Sequence, residues 1–148
     1  MPIADLIRPD QVVAGLRVPD KPQLLTELSR RASSAVALEQ PVILRALLAR
    51  EQLGSTGLGK GFALPHARMD RLTRFYALFV RLHRPIDYQA IDGNPVDLVV
   101  LLLTPEASGN QHLATLAALS RPLRDPTFVQ QLRRAPDATA MYALLAGM

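Results

Sequence analysis

Between Arg50 and Asp70 the chain reads REQLGSTGLGKGFALPHARMD, which places two arginines, two adjacent hydroxyls, four spaced glycines and a histidine on one short stretch. Such groups suit phosphate. Within it, Gly54, Gly59 and Lys60 satisfy the nucleotide-binding pattern G-x-x-x-x-G-K-[ST], and Gly61 fails it by removing the hydroxyl that would bind magnesium. A nucleotide loop must also follow a buried strand and open a helix whose first amides face the phosphates. Here the order is reversed, with a helical pattern before the glycines and a strand-like GFAL after them. The stretch is therefore read as a different kind of phosphate site, with the nucleotide-binding protein using Gly54 to Lys60 kept as the distant alternative.

The residue that gives that site a reaction is His66. A neutral imidazole is a nucleophile near pH 7, and one ring nitrogen can take a phosphoryl group when the other is held as a donor. Phosphoryl transfer between histidines asks the protein for in-line positioning and for donors to the three equatorial oxygens. The hydroxyls of Ser55 and Thr56, the backbone near Gly57 and Gly59, and a nearby guanidinium are the candidates, because glycine lets a backbone approach a phosphate closely. Pro65 restricts the chain just before His66. His83, beside Pro85, has no such surroundings and is assigned to the surface.

These groups need a frame. QVVAGLRV (Gln11 to Val18) reads as a strand. Asp20 and Pro22 then open a helix with Leu24, Leu25, Leu28, Ala32 and Val36 at helical spacing. A second helix runs from about Gln40 to Leu53 with Val42, Ile43, Ala46 and Leu47 on one face, and the glycines end it. Tyr76, Leu78, Val80 and Leu82 alternate along RFYALFVRL, a strand signature. After the turn at Asp92-Gly93-Asn94-Pro95 comes Val96 to Leu103, an apolar run suited to a strand covered on both faces. Gly109 to about Arg124 is helical until Pro122, and two shorter helices follow, opened by Asp125-Pro126 and by Asp137. The expected fold is a single α/β domain over residues 1–148, a mixed central sheet flanked by helices on both faces. His112 falls near the start of a helix, where the positive end of the dipole disfavours its charged form.

Composition removes several classes of function. A chain of 148 residues without cysteine has no disulfide framework, and no apolar stretch is long enough to span a bilayer. MPIADLIRPDQ carries no export signal, so a cytoplasmic location and no membrane insertion are expected. The net charge of +4 comes mostly from scattered arginines rather than a basic tail, and no nucleic-acid motif accompanies them. No nucleic-acid partner is expected.

The stretch Arg50-Glu51, Gly54-Ser55-Thr56-Gly57, Gly59 and Ala63-Leu64-Pro65-His66 closely resembles the phosphorylation-site signature of the enzyme IIA components of the bacterial phosphotransferase system, in their mannitol, fructose and nitrogen-regulatory branch. PIDYQAIDGNPVDLVVLLLTP and HLATLAALSRPLRD extend the resemblance over nearly the whole chain. It implies that His66 accepts a phosphoryl group, on Nε2 by the family's habit, from a histidine phosphocarrier of the HPr type. It also implies that His112 faces the acceptor and that Arg50 holds the phosphoryl group by charge-assisted hydrogen bonds. No cofactor and no metal are implied. Downstream, the phosphoryl group either passes to an enzyme IIB during sugar uptake or sets which regulatory target proteins are bound. A free-standing chain favours the nitrogen-type regulator. Lys60 and the Ala67 of PHAR depart from the family's usual residues beside the site, which bears on partner choice and not on the transfer.

Overall fold

The computed structural model describes residues 3–148, beginning with helix α1 (Ile3–Leu6) and strand β1 (Val12–Leu16), joined by a 3-10 turn at Pro9–Gln11. Gln11, expected to begin the strand, instead turns its amide inward and donates to the carbonyls of Leu6 and Ala77 at 3.2 and 2.6 Å. Helix α2 (Lys21–Val36) starts as its sequence predicts, with the Asp20 carboxylate accepting from the Gln23 amide at 2.9 Å and Pro22 in the first turn. Helix α3 (Gln40–Gln52) buries Ile43 and Leu47. Val42, expected on that face, is exposed, because one residue along a helix turns the side chain by about 100°.

The glycine-rich stretch is not only a turn. It contains strand β2 (Gly57–Gly59), followed by β3 (Phe62–Ala63) and β4 (His66–Met69), then the long β5 (Tyr76–Ile86) and β6 (Val96–Pro105). The remaining helices are α4 (Gln111–Ser120), α5 (Pro126–Arg134) and α6 (Ala138–Ala146). The helix expected to run from Gly109 to Arg124 stops at Ser120 and continues as a 3-10 turn over Pro122–Arg124, where proline has no N–H with which to extend the ladder. Asp125 and Asp137 cap α5 and α6 through the amides of Thr127 and Ala140.

The sheet is mixed, in the order β1-β5-β6-β3-β2. Strand β6 lies antiparallel to β5 and parallel to both β3 and β4, and every residue from Val96 to Thr104 except Asp97 is buried. β3 and β4 form one line interrupted at Leu64-Pro65. Phe62 faces Leu98 and His66 faces Leu102 at an unchanged offset, while the Pro65 carbonyl still accepts from the Leu102 amide at 3.0 Å. Proline thus costs this line one donor without shifting its register.

Tyr76, Leu78, Val80 and Leu82 of β5 pack with the buried face of α2 and α3 in one core, and Ala77 and Phe79 pack with residues of α1, α4, α5 and α6 in the other. Helices therefore cover both faces. Some of the scattered arginines belong to this scaffold. Arg81 donates to the carbonyls of Leu132 and Ala135 at 2.9 and 2.6 Å, closing the end of α5, and Arg133 pairs with Asp97 at 2.8 Å. Among the described residues no helix is long and apolar enough to cross a membrane.

Candidate functional site

His66 opens β4 at the point where Pro65 ends the interruption, so its position is set by main-chain pairing with β6. Its half-buried ring lies with Nδ1 2.8 Å from the Leu64 carbonyl oxygen. A carbonyl can only accept, so Nδ1 carries the proton and Nε2 keeps its lone pair. That lone pair is turned towards Arg50, whose Nε donates to it at 3.3 Å, while Nη1 of the same guanidinium donates to the Gly54 carbonyl at 2.9 Å. Arg50 is thereby held between the glycine turn and the imidazole.

The second ring comes from α4. His112 is buried, its centroid lies 5.6 Å from that of His66, and the two planes are tilted by 52°. Its Nδ1 is 2.6 Å from the hydroxyl of Thr104, a fully buried residue of β6 two positions beyond the partner of His66. One strand therefore places one histidine by its backbone and orients the other by a side chain. Arg50, His66 and His112, named from the sequence, converge.

Both imidazoles are pushed below the ordinary histidine range. For His66 the cause is burial, helped by the positive Arg50 and opposed by the Leu64 hydrogen bond and the charge of Glu51. For His112 it is burial, then the charge of Arg68 and the neighbouring ring. Both are neutral at pH 7, the form in which an imidazole nitrogen attacks. The neutral form of His66 is present above its folded pKa and lost as the pH falls through it. In an NMR titration its midpoint is expected below about 6.5, the value for an unperturbed histidine. Arg50→Ala should move that midpoint upwards by removing a positive neighbour; a midpoint at or above the ordinary value in the parent, or a downward move in the variant, contradicts this geometry.

The cradle expected from Ser55, Thr56, Gly57 and Gly59 divides in two. Gly54 stays at the surface, its carbonyl fastening Arg50, and Ser55 is half-buried with its hydroxyl accepting from the Gly57 amide at 3.1 Å. Thr56 is turned inward. The residue is 1% exposed, and its hydroxyl is bonded to Glu51 and lies 2.9 Å from the Tyr88 hydroxyl. The expectation that this hydroxyl holds phosphate oxygens is corrected on that ground. Gly57 likewise serves packing: a Cβ there would lie 2.8 Å from the Ala90 Cα, and its carbonyl accepts from Ile91. Gly59, with φ +103, ends β2 and leads into the turn to β3, where the Lys60 amide donates to Asp92 at 2.9 Å. That turn joins two strands, so Lys60 is not at the head of a helix as a nucleotide loop requires.

Three residues of this neighbourhood were given no role from the sequence, although Glu51 was quoted beside Arg50 in the resembling stretch. Thr104 carried a signal, being the polar residue that ends the apolar run of β6. Glu51 carried another, as a carboxylate in the last turn of a helix, where the dipole disfavours it. Tyr88 sits in a loop and offered none.

Residues 5–148 match the family described as phosphoenolpyruvate-dependent sugar phosphotransferase system, EIIA 2. A nitrogen regulatory protein of Bradyrhizobium diazoefficiens is 44% identical over 146 residues, covering 99% of this chain and 95% of that protein. Among solved structures, the crystal structure of nitrogen regulatory protein IIA-Ntr from Neisseria meningitidis superposes with a TM-score of 0.92 at 31% identity, covering 97% of this chain and 98% of that one. The complex of enzyme IIA mannitol with phosphorylated enzyme IIB mannitol from Escherichia coli shares the fold at a TM-score of 0.80 and 18% identity, covering 96% of this chain and 98% of that one.

Proposed function

The chain belongs to the EIIA 2 family of the phosphoenolpyruvate-dependent sugar phosphotransferase system, and from that membership we propose that it is a phosphohistidine carrier of the nitrogen-regulatory kind, charged on His66. In the transfer, the N–P bond of an HPr-type phosphocarrier breaks as a bond forms between phosphorus and Nε2 of His66. The Nδ1 proton stays on the ring, held by the Leu64 carbonyl. That hydrogen bond is the single observation that carries the assignment, because it leaves Nε2 as the unprotonated, nucleophilic nitrogen. Arg50 already faces this nitrogen and would hold the incoming equatorial oxygens by charge-assisted hydrogen bonds. If Thr104 donates to Nδ1 of His112, the proton of that ring lies on Nε2 and makes it a second donor. Chain residues 1–148 act as one such unit in this reading, in the cytoplasm, where a soluble phosphocarrier would meet it.

The surroundings favour a protein partner over a small molecule. Leu53, Leu58, Ile91 and Leu113 are exposed large apolar residues on the segments that border the site: the end of α3, β2, the loop held to Gly57, and the residue after His112. Apolar residues grouped around a reactive centre mark docking surfaces. Arg68 stands beside His112 with its guanidinium on the Gly109 carbonyl at 3.4 Å, supplying positive charge at the same rim.

Phosphorylation adds about two negative charges at this rim. A regulatory target should therefore be retained by one form of the protein and released by the other, with affinities differing at least about 10-fold, or about 1.4 kcal/mol. The unphosphorylated form is expected to bind more tightly, because an apolar rim around a neutral ring is desolvated more cheaply than a phosphate. Pull-downs from cell extract with the parent, His66→Ala and fully phosphorylated protein test this. Recovery of a sugar-specific enzyme IIB alone, with rapid transfer to it, would replace regulation by transport.

A further inference from the structure

Beneath the glycine turn lies a carboxylate that the transfer chemistry does not itself require. Glu51, next to Arg50, accepts from the Thr56 amide at 3.2 Å, from the Thr56 hydroxyl, and from the Tyr88 hydroxyl at 3.0 Å, and it pairs with Lys21 at 2.9 Å. Lys21 also lies over the Tyr88 ring, 4.3 Å from its centroid. Thr56 and Tyr88 are buried, and the Glu51 side chain is only 8% exposed. One carboxylate thus ties the start of α2, the end of α3, the loop after β5 and the start of β2. Burial pushes the Glu51 carboxyl up, but the hydrogen bonds from Thr56 and Lys21 outweigh it and hold the group ionised below the ordinary carboxylate range.

A negative charge in the last turn of α3 works against the helix dipole, and burying it works against solvation. Local rules are broken in this way where a site needs a fixed geometry. The turn between Glu51 and Thr56 contains Gly54, and the Gly54 carbonyl is what fastens the Arg50 guanidinium that reaches Nε2 of His66. A turn anchored at Thr56 from below is a turn whose Gly54 carbonyl stays in place above. Resting on the phosphoacceptor role of His66, we infer that Glu51 is a positioning residue for phosphoryl transfer, acting through Thr56 and Gly54 to hold Arg50 against the reacting nitrogen.

A residue that acts through Arg50 must lose its effect when Arg50 is gone, whereas a residue that merely supports the fold must not. The test is a double-mutant cycle on the rate of phosphoryl uptake from the phosphorylated carrier, with the parent, Glu51→Gln, Arg50→Ala and the double variant, each first checked for its folded circular dichroism spectrum. Glu51→Gln keeps the shape and removes the charge. It should slow uptake about 10-fold at saturating carrier, with little change in the carrier concentration giving half-maximal rate. In the Arg50→Ala background the same change should alter the rate less than about 2-fold. Thr56→Val removes the hydroxyl that Glu51 holds, keeps the branched shape, and should repeat the pattern if Glu51→Gln does not fold. Parental rates in the single variants, or equal slowing with and without Arg50, overturn the inference. If the parent itself takes up no label on His66, it is the phosphoacceptor reading that fails.

Discussion

His66→Ala is expected to take up no phosphoryl group from phosphoenolpyruvate, enzyme I and the cognate phosphocarrier, under conditions in which the parent takes up one. The effect is total because the nucleophile is removed. His112 cannot substitute, since it is buried and its Nδ1 is engaged with Thr104. The label on the parent should be lost in acid and survive alkali, as a phosphoryl group bonded to nitrogen does. The geometry adds a finer expectation: Nδ1 faces the Leu64 carbonyl at 2.8 Å, so the phosphorus should be bonded to Nε2, which NMR coupling patterns of the phosphorylated ring distinguish. Label on His66→Ala equal to that on the parent, or an acid-stable label, would refute the assignment. A phosphoryl group on Nδ1 would mean that the ring turns over before reaction.

Arg50→Ala is expected to leave the acceptor in place and slow its charging by about 10²-fold, the usual cost of removing one donor aimed at developing transition-state charge. The guanidinium already stands beside Nε2, donating to it at 3.3 Å, so it has only to pass that N–H from the lone pair to an equatorial oxygen when the phosphoryl group enters. Two opposed effects meet in this variant. Loss of a positive neighbour raises the pKa of His66, making the lone pair more basic but also more readily protonated, and loss of the donor removes charge stabilisation. At pH 8 the ring is neutral with or without Arg50, so slowing measured there isolates the second effect. Arg50→Lys should recover only part of the rate, because an ammonium lacks the planar fork that spans Gly54 and the ring. Charging of Arg50→Ala at the parental rate at pH 8 would return this side chain to an ordinary helix-end residue.

Local structure here was readable in the sequence wherever one residue decides it alone. Asp20, Asp125 and Asp137 cap helices because a short side chain with an acceptor reaches the next amides whatever the rest of the chain does. The break at Pro122 follows from a missing N–H, and the depth of β6 follows from an apolar run interrupted only at Asp97. His66 was singled out because a histidine following a hydroxyl-bearing glycine turn suits phosphoryl transfer, whereas Arg50 was named through the resemblance to the enzyme IIA signature.

Orientation was not legible, because it depends on partners far along the chain. Thr56 reads as a surface hydroxyl in a glycine turn, yet a carboxylate five residues earlier and a tyrosine from the loop after β5 draw it inward. His112 reads as a helix-start residue, and only the approach of α4 to the end of β6 gives it Thr104 as a partner and His66 as a neighbour. The short β4 went unread since its pairing with β6 continues across a proline that looks like a terminator. Which groups are present, and where α2, α3, α5 and α6 begin, follow from the sequence; α1 went unread and α4 starts two residues later than expected. The tertiary structure alone decided which nitrogen of His66 is free, because a ring has two equivalent-looking nitrogens until a fixed carbonyl takes the proton of one.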